Sequence, residues 1–381
     1  MATVLVSVIS DLVTDQRVHK VSQTLHEMGF EVVLVGTKKH NSLPLMKRAY
    51  TTRRLSMLFQ KGFLFYAEWN TRLFFYLLFK KSAILLANDL DTLVPNYIIS
   101  KLKRNVLVYD THEYFTETAE LYNRPAVKKI WQWIEKNFMP QVKYIYTVNH
   151  TIAGLYKEKY GKELVVVRNL PLQWSSKENS TPQVDFNFPT GKKILLLQGS
   201  GLNENRGLEE LILSTPLLPP EYIIVIAGSG LLLERLQQMV TVNQWQEKVF
   251  FTGILPMEAL HQLTAKAFCG FSLDKPLNIN QQSSLPNKLF DYIAAGIPVI
   301  ASNIKEVAAL VKQYELGIVL DAVSPENIAA AVIKLAKDET QYTLYKQNAV
   351  AATNDLNWDR EKKIVETLFT KIITENNITI G

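Results

Sequence analysis

The 381-residue chain has a single cysteine, Cys269, so no internal disulfide can form. Its first residues, MATVLVSVISD, lack the basic segment and small-residue cleavage site of a secretory leader, and a reducing cytosol is the compartment expected from the two absences together. Long apolar runs are missing as well. The most hydrophobic stretch, LFFYLLF at 73–79, is preceded by Arg72 and closed by Lys80 and Lys81, far short of the roughly 18 residues that a spanning helix needs. The turn expected after the first strand reads Ser10-Asp11-Leu12-Val13-Thr14-Asp15, without glycine, which disfavours an NAD- or FAD-binding site there, and no Walker lysine motif suggests ATP hydrolysis.

What is present describes a folded α/β chain. Hydrophobic residues make up 47% and charged residues 20%, a balance that excludes disordered and fibrous classes. Short apolar runs alternate with stretches of helical period, the pattern of parallel strands covered by helices. Strands are expected at Thr3 to Ile9, Phe30 to Val35, Ala83 to Ala87, Val106 to Tyr109, Lys143 to Val148 and Leu164 to Val167. A first helix from Asp15 sets Val18, Val21, Leu25 and Met28 at core spacing and stops at Gly29. The polar, aperiodic residues 171–191 read as a linker. A second set of strands follows at Lys193 to Gln198, Tyr222 to Ala227, Val249 to Phe251, Gly270 to Leu273, Pro298 to Ala301 and Gly317 to Leu320. The organisation expected is therefore two doubly wound domains, 1–170 and 192–357, with a last amphipathic helix in 358–381 returning to the first.

Charge divides along the same line. Residues 1–170 carry 24 Lys/Arg against 14 Asp/Glu, whereas residues 171–381 carry 18 against 22. Between Pro44 and Ser82, eight basic residues face Glu68 alone and interleave with Phe59, Phe63, Phe65, Tyr66, Trp69, Phe74, Phe75, Tyr76 and Phe79. Helices or loops are expected there. The composition suits an anionic lipid surface, and it equally suits core aromatics with a solvated charged face. Nucleic acid is disfavoured, because the aromatics bunch in apolar runs and no binding module accompanies them.

Three segments carry candidate chemistry. Gly199-Ser200-Gly201, followed by Arg206-Gly207 and a helix near Leu208, reads as a phosphate cradle or as a glycine turn with a surface arginine. Gly228-Ser229-Gly230 repeats the device more weakly. In residues 283–302, Leu285-Pro286-Asn287-Lys288 leads into a helix in which Asp291 lies about one turn beyond Lys288, an acceptor and a cation near one helix end, suited to ribose and phosphate.

The string SLPNKLFDYIAAGIPVIAS at 284–302 resembles the donor-site signature of the retaining family 4 glycosyltransferases of GT-B fold, with Asp291 where that family usually has glutamate. Similar blocks run along nearly the whole chain: DQRVHKVSQTLHEMGFEVVLV (15–35), NDLDTLVP (88–95), YDTHEYF (109–115), YTVNHTIAGLYKEKYG (146–161), VVRNLP (166–171), LQGSGLNENRGLEELI (197–212) and VIAGSG (225–230). The resemblance implies two Rossmann-like domains facing each other across a cleft. It also implies sugar transfer from a nucleoside-diphosphate sugar to a lipid-linked or polysaccharide acceptor, by front-face attack with no protein nucleophile. Arg206 and Lys288 would hold the donor diphosphate, Asp291 its ribose and Gly253 the base side, with Gly199, Ser200, Gly228, Leu285, Pro286 and Asn287 completing the donor site. His112 would reach the donor sugar from the first domain; by itself, beside Asp110 and Glu113, it reads as a satisfied cleft or surface residue.

Two positions depart from the family pattern. Ser283 falls where the earlier carboxylate of the family's pair belongs, and Ser200 where an arginine is common. Asp89-Leu90-Asp91 resembles the metal signature of the other large glycosyltransferase fold, but under the GT-B reading it is a strand-end turn, and no metal or cofactor is required. The expected setting is cytoplasmic, peripheral on the inner face of the membrane through residues 44–81. The alternatives are a GT-B sugar-nucleotide epimerase or hydrolase, and a non-catalytic sugar-nucleotide-binding or scaffolding protein.

Overall fold

A computed structural model describes residues 2–13, 15–122, 124–172, 184–199, 201–275 and 278–380. It divides into two units, Met1–Asn169 with Asp359–Gly381, and Leu170–Trp358.

The first unit is built on a seven-stranded parallel sheet of order β3-β2-β1-β4-β5-β6-β7. The strands are β1 (Thr3–Ser7), β2 (Glu31–Lys38), β3 (Thr51–Ser56), β4 (Ile84–Asn88), β5 (Val106–Thr111), β6 (Tyr144–Thr147) and β7 (Val165–Val166). Helices α1 (Gln16–Glu27), α2 (Gly62–Phe79), α3 (Leu90–Lys103), α4 (Ala119–Tyr122), α5 (Pro125–Phe138) and α6 (His150–Tyr160) connect them. The start of α1 follows from its sequence: the Asp15 carboxylate accepts the Val18 amide, satisfying one of the free donors of the first turn. Central strands such as β4 are buried throughout, as parallel sheets covered on both faces require.

The second unit carries a six-stranded parallel sheet of order β10-β9-β8-β11-β12-β13. Its strands are β8 (Lys193–Gly199), β9 (Tyr222–Gly228), β10 (Val249–Gly253), β11 (Ala267–Ser272), β12 (Val299–Ser302) and β13 (Gly317–Leu320). Between and after them lie α7 (Leu208–Leu213), α8 (Leu233–Val242), α9 (Met257–Lys266), α10 (Ile279–Gln282), α11 (Asn287–Ala294), α12 (Lys305–Gln313), α13 (Pro325–Lys337) and α14 (Glu339–Ala352). The final helix, α15 (Trp358–Glu375), crosses back: from Asp359 it belongs to the first unit. There Phe369 meets Phe30 edge to face, Glu361 pairs with Arg168 and Lys362 with Glu27.

Two findings change the sequence reading. Thr51–Ser56 is an edge strand parallel to β2, inside the basic stretch where helices or loops are expected. Its TTRRLS sequence shows no apolar alternation, because an edge strand half open to solvent has little to bury. Of the proposed linker, residues 173–183 lie outside the described residues, but 184–191 are attached to the second unit. Phe186 and Phe188 stack on each other and pack on its core, and the Val184 amide donates to Gln262 Oε1.

The basic, aromatic stretch also divides. On α2, Phe65, Trp69, Leu73 and Leu77 recur at helical spacing and are buried in the core. Phe63, Phe75 and Phe79 face solvent, Phe79 with 80% of its surface exposed. Arg48 and Arg54 donate to the carbonyls of Leu12 and Leu43, and Arg72 pairs with Glu68. Lys47, Arg53, Lys61, Lys80 and Lys81 are exposed. Among the described residues, no helix is long and apolar enough to cross a membrane.

Candidate active site

In the second sheet, the chain leaves β8 toward β9 on one side while β11 lies on the other, so β8 and β11 flank the point where the strand order reverses. Open parallel sheets present their binding crevice at the carboxyl ends of such strands. The loops following β8 and β11 are joined there. The Lys275 amide donates to the Asn205 carbonyl at 2.7 Å, and Lys275 also pairs with Glu210. Gly207, at φ +71°, lies so close to Leu273 that a Cβ would stand 2.4 Å from Leu273 Cβ. This approach puts Arg206 beside Asp274.

Two cations converge on that aspartate. Arg206 Nη1 lies 2.6 Å from Asp274 Oδ1, and Lys288 Nζ, from the first turn of α11, lies 3.1 Å from Asp274 Oδ2. The side chains of Lys288 and Asp274 are only 9% and 6% exposed, that of Arg206 38%. Burial lowers the Lys288 pKa from its ordinary value and Arg206 adds to the shift, while Asp274 opposes it. Burial alone would raise the Asp274 pKa, but Lys288 and Arg206 prevail and hold it below the ordinary carboxylate value. The cluster therefore offers two positive charges fixed around one negative charge at the end of a sheet. Nothing in the local sequence, FSLDK, marks Asp274, and its meaning arises only from the folding together of three loops.

The other candidates of this unit have positions and partners of their own. Asp291, on α11 with Lys288, turns to a different partner: its Oδ2 accepts Gln198 Nε2 at 2.9 Å, and Gln198 Oε1 accepts the Thr264 hydroxyl at 2.8 Å. Leu285 packs on the core and Pro286 caps α11, whose first residue is Asn287. Gly199 and Gly228 interlock: a Cβ on Gly228 would sit 1.8 Å from the Gly199 carbonyl oxygen, so packing alone demands glycine there. Gly253 ends β10. Ser283 is buried, and its hydroxyl donates to the Ile279 carbonyl within its own turn. Ser200 lies outside the described residues.

Gly207→Ala is expected to lower stability by about 2–4 kcal/mol, since the new methyl meets Leu273 and the positive φ is strained. Thermal unfolding measures the loss; an unchanged Tm would contradict the close approach.

His112 belongs to the first unit, past the end of β5. Its Nδ1 lies 3.1 Å from Asp89 Oδ2, and its Nε2 lies 3.1 Å from Asp110 Oδ2 and 3.2 Å from Asn88 Oδ1. Burial alone would lower the ring's pKa, but Asp89 and Asp110 raise it well above the ordinary histidine value. Both ring nitrogens therefore lie within hydrogen-bond reach of carboxylates, an arrangement that favours the charged form of the ring. Asp110 in turn accepts two hydrogen bonds from the buried Arg17, whose Nη1 donates to the Val167 carbonyl. Asp89 holds a left-handed φ of +59°, a strain kept by its N–H donating to the Asp110 carbonyl and by its carboxylate accepting the His112 N–H. Asp91 is buried, and burial raises its pKa well above the ordinary carboxylate value, with Asp89 adding to the shift. Among the described residues, no group of three or more His, Cys, Asp or Glu side chains is arranged to hold a metal ion.

Residues 181–351 match the family described as "Glycosyl transferases group 1". Over 253 residues the chain is 22% identical to an uncharacterized glycosyltransferase of Methanocaldococcus jannaschii, covering 63% of this chain and 61% of that protein. It is 24% identical over 269 residues to the chitobiosyldiphosphodolichol beta-mannosyltransferase of Candida albicans, covering 69% of this chain and 51% of that protein. The chain thus spans less than two thirds of the length of these curated relatives. Among solved structures, sucrose-phosphate synthase from Thermosynechococcus elongatus superposes with a TM-score of 0.76 at 14% identity, over 98% of this chain and all of that one. Anabaena Alr3699/HepE, solved in complex with UDP, superposes with a TM-score of 0.69 at 14% identity, over 97% of this chain and all of that one. The two Rossmann-like parallel-sheet units thus have the fold of GT-B glycosyltransferases, and a segment of the second is similar to the group 1 family.

Proposed function

We propose that the protein transfers a sugar, with retention, from a nucleoside-diphosphate sugar to a lipid-linked or polysaccharide acceptor in the synthesis of cell-envelope glycan or exopolysaccharide. The observation that carries this reading is the meeting of Arg206 and Lys288 at the carboxyl ends of β8 and β11, inside the segment that matches the group 1 family. Departure of a nucleoside diphosphate builds negative charge on the β-phosphate, and preorganised cations stabilise such charge more in the transition state than in the ground state. These two side chains supply that charge, so the reading assigns no role to a metal or cofactor. Asp291, steadied by Gln198, is the acceptor for ribose hydroxyls. The diphosphate-linked lipid in the name of the Candida relative and the UDP in the Anabaena structure are consistent with this donor and acceptor chemistry.

The acceptor class brings in the surface of the first unit. Helix α3 packs against both α2 and α5. Phe63, Phe75 and Phe79 on α2 and Ile130 and Trp133 on α5 are exposed, as are Lys61, Lys80, Lys81 and Lys129. Exposed apolar and basic side chains together suit an anionic bilayer surface, each basic residue near it contributing about 1 kcal/mol. Charge reversal at Lys47, Lys61, Lys80 and Lys81 together is expected to weaken sedimentation with phosphatidylglycerol vesicles at least tenfold and to leave nucleotide affinity unchanged. Undiminished vesicle binding would remove the membrane from the account.

The reaction itself is tested by incubating the purified protein with labelled UDP-, GDP- and dTDP-sugars and a membrane lipid extract. Label in the lipid or polymer fraction supports transfer. Donor binding with neither transfer nor hydrolysis would favour a binding protein instead.

A further inference from the structure

A diphosphate site requires cations, yet the cations here are clasped by a buried carboxylate. Asp274 reaches Arg206 with one oxygen and Lys288 with the other, at 2.6 and 3.1 Å, which is the bridging pattern a phosphate group would adopt between the same side chains. Its backbone cannot swing aside, because the next residue donates its amide to Asn205 and the preceding one is pressed against Gly207. Lys288 is nearly buried and faces the Arg206 charge, so without a neighbouring anion its proton would be lost readily.

We propose that Asp274 is a positioning residue that stands in for phosphate while the site is empty, and that its retained charge limits affinity for the departing nucleoside diphosphate. The proposal rests on reading this unit as the donor site. In the empty protein, Asp274 keeps Lys288 charged and fixes both cations where the diphosphate will need them, so little reorganisation is left to binding. Once the diphosphate is bound, Asp274 remains beside it as a like charge. Donor and product are both held less tightly, and product leaves faster. The carboxylate therefore trades affinity for preorganisation and turnover.

The test is calorimetric titration of the wild-type protein, Asp274→Asn and Asp274→Glu with inorganic pyrophosphate, with UDP, GDP, dTDP and ADP, and with the corresponding nucleosides. Removal of one unit charge within a few ångströms of the ligand is expected to make Asp274→Asn bind pyrophosphate and the preferred nucleoside diphosphate on the order of tenfold more tightly. Nucleoside affinity should not change, and Asp274→Glu should stay close to wild type. Between pH 7 and pH 9 the gain in Asp274→Asn should shrink, because Lys288 no longer has the carboxylate that holds its proton. In steady-state transfer, both KM for the donor and kcat should fall, the latter because release slows. Asp274→Ser gives the same reading should Asp274→Asn fail to fold. Folded variants that bind pyrophosphate as wild type does, or more weakly, would overturn the proposal. A wild-type protein that binds neither pyrophosphate nor any of the four diphosphates would overturn the donor-site reading itself, and the proposal with it.

Discussion

Lys288→Ala is expected to slow sugar transfer by about 100- to 1,000-fold, the range for removing one preorganised donor to developing charge. Arg206→Ala should also fall, but by less. The ranking follows from burial: the Lys288 side chain is 9% exposed and that of Arg206 38%, so the lysine acts through a medium that screens it less. Both variants remove one of the two cations facing Asp274, and the carboxylate keeps the other, so unfolding is not the expected cause of lost activity. Initial rates with saturating donor, alongside Tm, separate the two effects. Equal rates in wild type and Lys288→Ala would detach this residue from the chemistry.

The second large effect is on stability. Asp110→Ala should destabilise the first unit by about 3–5 kcal/mol, because it strands the Arg17 guanidinium, itself only 4% exposed, without its bidentate partner. Denaturant unfolding reads the loss, and a change below about 1 kcal/mol would show that Arg17 finds other compensation. The same cluster gives the pH dependence. Burial would raise the Asp110 pKa, but Arg17 and His112 hold it below the ordinary value, so its contribution is present above about pH 3.9 and is lost as pH falls through the lower folded-state value. For His112 the sign reverses. Its folded-state pKa is raised, so its contribution is complete below about pH 6.5 and declines as pH rises toward the folded-state value. Wild-type stability should therefore decline above neutrality, and His112→Asn should flatten that limb.

How much of this could be read from residues alone depends on the range of the interaction. Buried strands such as β4 and β9 announce themselves, because parallel strands covered on both faces are written as short apolar runs. The edge strand β3 escapes, since Thr51–Ser56 buries too little to leave a pattern. Arg206 and Lys288 were legible as candidate cations because a glycine turn and a helix start frame them. Asp274 was not, since it gains its role from the meeting of loops separated by tens of residues. His112 shows the same limit from the other side. Beside Asp110 and Glu113 it reads as a satisfied residue, but no local pattern foretells a ring clamped between Asp89 and Asp110. The aromatic stretch divided by helical face: spacing separates Trp69 and Leu73 in the core from Phe75 and Phe79 in solvent, whereas composition alone blends them.

The account stands most directly on the claim that the second unit is a nucleoside-diphosphate site built around Lys288 and Arg206. Calorimetric titration of the wild-type protein and Lys288→Ala with UDP, GDP, dTDP and ADP tests it. The account predicts that at least one diphosphate binds the wild type and that its affinity falls about 30- to 100-fold in the variant, as expected when a largely buried charge-assisted contact is lost. Binding of equal strength to both proteins, or no binding of any diphosphate to the wild type, would contradict it.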